Sequence, residues 1–192
     1  MNLIEAIKAV PDYRHARGIR HELWLILTRV LLGSCTGSWG YKPLASFTKN
    51  YRSCLIKLLD LPPDTRFPSS SIFRNVMMEM DFQISANLFN VWAEQGLSIA
   101  LGEVFAAAIR GHWSIENKLH WVKDVTLNED NCIHSGNYSP ANWAMVGQLL
   151  VSLSRQFNCR TLPDALRLMA NQLQPIFAAQ TGQSVSDFSG DN

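Results

Sequence analysis

The chain has 192 residues, 47% hydrophobic and 17% charged, which is a globular composition with room for one good-sized domain or two small ones. Its net charge of +1 neither favours nor excludes a nucleic-acid partner, but residues 1–67 hold ten Lys/Arg against five Asp/Glu and the remainder seven against eleven, so the basic part is amino-terminal. Four widely separated cysteines, Cys35, Cys54, Cys132 and Cys159, contain no Cys-x-x-Cys pair and argue against a zinc knuckle or a disulfide scaffold.

Leu3 to Val10 reads as a short helix stopped by Pro11, and the start lacks the basic segment, apolar run and cleavage site of a signal peptide. Asp12 to His21 is a basic, Gly-containing loop. Its Arg14, Arg17 and Arg20 are either a solvated turn or candidate contacts to DNA phosphates, since Arg supplies sequence-independent attraction to the backbone. Glu22 to Cys35 is apolar almost all round, hence a buried helix ending near Gly33 and Gly37. The apolar run is interrupted by Arg29 and is too short to span a bilayer, which gives the expectation of a cytoplasmic protein with no membrane partner.

An amphipathic helix follows from Tyr41 to Asn50 and another from Tyr51 to Leu59, until Leu61-Pro62-Pro63-Asp64 breaks the pattern. Ser69 to Ser71 can cap a helix carrying Ile72, Phe73, Val76 and Met77. Gln83 to Leu101 reads as a further helix. Thr126 to Asn137 is irregular or strand-like. Pro140, following Ser139, opens a helix through Leu153, and Pro163 another through Leu173, before a Gly-, Ser- and Gln-rich end from Gln180 to Asn192 that frays.

The densest stretch chemically is Arg110 to Asp130. On a helix, His112, Glu116, His120 and Lys123 share a polar stripe beside an apolar one of Ile115, Leu119 and Val122. From residue types alone the stripe is a solvated face with a Glu116–His120 pair, or a single-metal site, although the order is not the His-Glu-x-x-His of a zinc protease helix.

Read residue by residue, His112-Trp113-Ser114-Ile115-Glu116-Asn117-Lys118-Leu119-His120-Trp121, followed by Asp124-Val125 and Glu129-Asp130, resembles the carboxy-terminal signature of bacterial insertion-sequence DDE transposases of the H-repeat-associated (ISAs) group. Arg14 to Arg20, the Thr36-Gly37-Ser38-Trp39 turn and Pro68-Ser69-Ser70-Ser71-Ile72-Phe73-Arg74 resemble the helical amino-terminal domain that accompanies those enzymes, over roughly residues 5–95. The resemblance implies DNA strand cleavage and transfer at a ribonuclease-H-like core, with two aspartates and a glutamate clamping two Mg2+ or Mn2+ ions. Glu116 matches the third carboxylate and is the expected metal ligand. Lys123, seven residues on, and His112, where wider relatives have arginine, complete the implied catalytic set, while Arg110 and Lys118 join the three amino-terminal arginines as candidate DNA contacts.

The two aspartates and their strands have no counterpart. The aspartates before Glu116 are Asp12, Asp60, Asp64 and Asp81, and only about 10 residues separate the two resembling stretches, too few for several strands and a crossover. The expectation is therefore a mainly α chain: a helical amino-terminal domain (1–97), a remnant of the catalytic domain (98–179) with most of its β-sheet missing, and a flexible tail (180–192). It is an internally deleted, catalytically inactive copy with no metal bound, whose natural partner is the terminal inverted-repeat DNA of the element. The alternative is a non-catalytic DNA-binding fragment that inhibits an intact transposase or self-associates. A third possibility is a metal protein using His112, Glu116 and His120.

Overall fold

One helix is apolar on every side, and the others arrange themselves around it. Helix α2 (Leu23–Cys35) buries all its residues except Trp24, and packs against α1 (Leu3–Lys8), α3 (Tyr41–Asn50), α6 (Ser139–Gln156) and α8 (Leu173–Thr181). Three further helices among the described residues are α4 (Arg52–Leu58), α5 (Ser70–Glu79) and α7 (Leu162–Met169), and residues 82–84 and 86–88 are helical as well. The computed structural model describes residues 3–15, 19–84, 86–88, 136–156, 161–170 and 172–181, with backbone alone at 155, 156, 179 and 180. Among them there is no strand, so the mainly α expectation holds. No described helix is long and apolar enough to cross a membrane.

Local sequence accounts for most of these elements. In α3 the buried side chains are Leu44, Phe47 and Thr48, and in α5 they are Phe73, Val76 and Met77, each set at the spacing that puts one stripe on one face. Helix α7 starts with a Thr161 cap, whose hydroxyl accepts from the Asp164 backbone N–H at 3.3 Å, and Pro163 sits in its first turn. Helix α5 differs from expectation at its start: Ser69 occupies the N-cap, but its side chain makes no capping bond.

Helix α2 runs two residues past Gly33. It closes on a left-handed Gly37 (φ 83°), with Ser38 N–H donating to the Gly33 carbonyl at 2.7 Å and Gly37 N–H to that of Ser34 at 3.0 Å. Gly33 is inside the helix for a different reason. A Cβ there would lie 2.5 Å from Leu44 Cδ2 and 3.0 Å from Phe47 Cδ1, so glycine is what lets α3 approach. The single helix expected from Pro163 through Leu173 is two. Ala170 turns to extended backbone (ψ 124°), and the chain restarts as α8, whose Leu173, Ile176 and Phe177 return to the core.

One core cluster joins residues of α1–α5 to residues of α6–α8, from Leu3 to Phe177. The joint is polar as well as apolar. Buried Asn142 on α6 donates from Nδ2 to the carbonyls of Met77 (3.0 Å) and Met80 (2.7 Å), and Tyr138 N–H donates to that of Met78 at 3.2 Å. Three carbonyls at the end of α5, which helix geometry leaves without partners, are thereby satisfied from one short stretch. Trp143 packs on Trp39 and Tyr41 at ring-centroid distances of 5.4 and 6.0 Å, and the Tyr41 hydroxyl bonds Ser139 Oγ. The expected boundary at 97/98, the helix expected over Arg110 to Asp130, most of Gln83 to Leu101, the Thr126 to Asn137 link except its last two residues, and residues 182–192 lie outside the described residues.

Candidate nucleic-acid interface

The loop between α1 and α2 carries the basic residues singled out from sequence. Its first half is tied down. Arg14 donates to the Asp12 carboxylate from Nε (2.8 Å) and Nη2 (2.6 Å), and from Nη2 to the His21 carbonyl at 2.8 Å, so one guanidinium bridges the two ends of the loop. The Arg14 side chain is only 16% exposed. Its hydrogen bonds hold the Asp12 carboxyl below the usual carboxylate range. Tyr13 anchors the same loop to α5, its hydroxyl donating to the Val76 carbonyl at 3.2 Å, and burial pushes that hydroxyl up to about 12. His15 and Arg20 are exposed.

Behind the loop lies a second tier of cations. Arg29, midway along α2, has 0% exposure, and among the described residues none of its three guanidinium nitrogens has a hydrogen-bond partner. Its guanidinium carbon sits 4.6 Å from the centre of the Phe67 ring, and that of Arg52 on α4 lies 4.9 Å from the same centre. Arg52 also donates to the Pro63 carbonyl at 3.1 Å, which fixes the link between α4 and α5 beneath it. Burial lowers the Arg29 pKa to about 10 with no carboxylate offsetting it, so at neutral pH it remains a buried cation. His21 completes the group. Desolvation lowers its pKa first, and the positive charges of Arg29, Arg14 and Arg20 lower it further, while the backbone of Arg66 bonds its ring.

Of the residues expected to act, the structure brings Arg14 and Arg20 to one loop, and it occupies Arg14 with Asp12 and His21. Arg17, Arg110, His112, Glu116, Lys118, His120 and Lys123 lie outside the described residues. The implied two-metal site needs converging carboxylates, and the described acids do not supply them. Asp12 is held by Arg14, Asp60 follows α4 in a left-handed conformation (φ 50°), Asp64 and Asp81 stand beyond helix ends, and no three described His, Cys, Asp or Glu side chains could share an ion. Sequence reading missed Arg29 and Phe67 as functional candidates. The available signal was that Arg29 is the only charge in an otherwise apolar helix, a position where a charge is rarely tolerated unless paired.

A family model described as DDE_Tnp_1-associated matches residues 4–93, which hold helices α1–α5. Among curated proteins, "H repeat-associated putative transposase YhhI" of Escherichia coli K12 is 64% identical over 36 residues, covering 18% of this chain and 10% of that protein. "Putative transposase YncI" of Escherichia coli O157:H7 is 62% identical over 34 residues, covering 17% of this chain and 9% of that one. The matched stretch therefore spans about a tenth of the length of these relatives. No solved structure matches. Residues 4–93 thus match the DDE_Tnp_1-associated domain, and a short stretch of the chain is similar to H-repeat-associated and other putative transposases.

Proposed function

We propose that this chain is an internally deleted transposase copy that binds the terminal-repeat DNA of its element through the amino-terminal helical domain and does not cut it. The observation that carries this reading is the pairing of a matched DDE_Tnp_1-associated domain with a sequence whose aspartates before Glu116 all stand at loops and helix ends. Two-metal displacement needs several carboxylates on one scaffold, and loss of one member of such a set costs orders of magnitude in rate. The joint core supports the same reading, because α6–α8 pack directly on the amino-terminal helices, with no strand between them among the described residues.

Binding would be electrostatic in the main. Arg20 stands exposed at the loop, and buried Arg29 of α2 and half-buried Arg52 of α4 share the Phe67 ring. Retention of a fluorescent terminal-repeat duplex, followed by anisotropy from low to moderate salt, should weaken linearly in log–log form, by roughly 0.9 per phosphate neutralised. Absence of binding at low salt would remove the proposal. Metal-dependent nicking of that duplex with Mg2+ or Mn2+ would remove the inactive half of it. A copy that holds ends without cutting them competes with an intact transposase, and an added excess should lower that enzyme's cleavage.

A further inference from the structure

We infer that the Arg29 guanidinium forms the floor of a phosphate-binding site, with Arg52 and His21 beside it and Phe67 as its cover. Arg29 is wholly buried, and among the described residues its Nε and both Nη atoms have no hydrogen-bond partner and no carboxylate pairs with it. Five N–H donors in a rigid fork are thus enclosed and unused. A buried charge left unpaired is costly, and its usual resolution is a counter-charge. Among the described residues no carboxylate is seen to act on Arg29, and the charges that bear on His21 are those of Arg29, Arg14 and Arg20. Arg29 and Arg52 both lie over Phe67, and His21, itself under the field of Arg14, Arg20 and Arg29, closes the side toward the loop.

The ligand chemistry follows from that donor set. A tetrahedral oxyanion with several acceptor oxygens can take a bidentate pair from Arg29 and a further bond from Arg52. Such a group is either a phosphodiester of DNA or a free phosphate. The first source deepens the DNA-binding reading and rests on it. The second stands without it. Access runs through Phe67, which is half-buried in the non-helical link between α4 and α5, so removing its ring should open the site.

The test titrates the full chain, at matched ionic strength, with inorganic phosphate by calorimetry and with a duplex by anisotropy, comparing wild type with Arg29→Met, Arg52→Gln, Phe67→Ala and Arg20→Gln. Wild type is expected to bind phosphate, Arg29→Met to lose at least tenfold, Arg52→Gln at least threefold, and Phe67→Ala to bind at least as tightly as wild type. Loss of duplex affinity in Arg29→Met as well identifies a backbone phosphodiester as the occupant; loss for inorganic phosphate alone identifies a small-anion site. A wild type that binds neither ligand, or an Arg29→Met that binds both like wild type, overturns the inference. If duplex binding survives Arg29→Met but falls with Arg20→Gln, the DNA reading stands while this site fails. Should Arg29→Met not fold, Arg52→Gln decides, and unchanged phosphate affinity in that variant overturns the inference equally.

Discussion

Replacing Asn142 by alanine tests whether the carboxy-terminal helices and the amino-terminal domain are one cooperative body. Asn142 is 1% exposed, and its amide makes two hydrogen bonds, at 3.0 and 2.7 Å, to carbonyls of Met77 and Met80, residues that are themselves 1% and 4% exposed. Alanine removes both donors and leaves both acceptors buried where water enters poorly. At roughly 1 to 2 kcal/mol for each abandoned acceptor, the expected loss is about 2–4 kcal/mol, a large part of a typical domain's 5–15. Urea unfolding should be followed by helical circular dichroism and by tryptophan fluorescence, which includes Trp39 on one side of the joint and Trp143 on the other. Both probes should shift together to a lower midpoint with an unchanged slope. Asn142→Asp should cost more at neutral pH, because a carboxylate would face two carbonyls, and part of that loss should return on acidification. A loss under about 0.5 kcal/mol, or two separated transitions, would refute the claim that α6 is fastened to α5 through this residue.

Gly33→Ala should destabilise by about 1–2 kcal/mol in the same assay despite alanine's better helix propensity, because the new Cβ collides with Leu44 and Phe47, which are 0% and 2% exposed. The Asp12 carboxyl should titrate below its ordinary 3.8, as read by carbon NMR. Because its folded-state pKa is depressed, the Asp12–Arg14 contribution is present at neutral pH and lost as pH falls through that lower value; Arg14→Gln should return the midpoint to the usual range. Burial pushes the Cys35 thiol up to about 12, so mass mapping after a brief exposure to an alkylating reagent should find Cys54 labelled in the native protein and Cys35 labelled only on unfolding.

Much of the fold was legible in the chain because side-chain periodicity reports which face of a segment avoids water. The all-round apolar run from Leu23 to Cys35 could only be a central helix. The spacing of Leu44, Phe47 and Thr48, the Pro62-Pro63 break, and Pro140 and Pro163 at helix starts gave the flanking elements nearly to the residue. The basic loop was legible too, as a cluster of charges around a glycine. Partners were not, since periodicity says that a face is buried and not against what. Arg14 reads as a free cation until the fold brings the His21 carbonyl to it beside the nearby Asp12. Gly33 reads as a helix end until α3 lies across it, and Ala170 reads as helix interior until Leu173 is drawn back to the core. Asn142 and the carbonyls it serves are 62 and 65 positions apart, a separation at which no local pattern carries information. The sequence alone determined a helical, amino-terminally basic chain and a resemblance to insertion-sequence transposases. Only the tertiary structure decided which of its cations are neutralised by neighbours and which, like Arg29, are enclosed without one among the described residues, because that depends on distances between segments remote along the backbone.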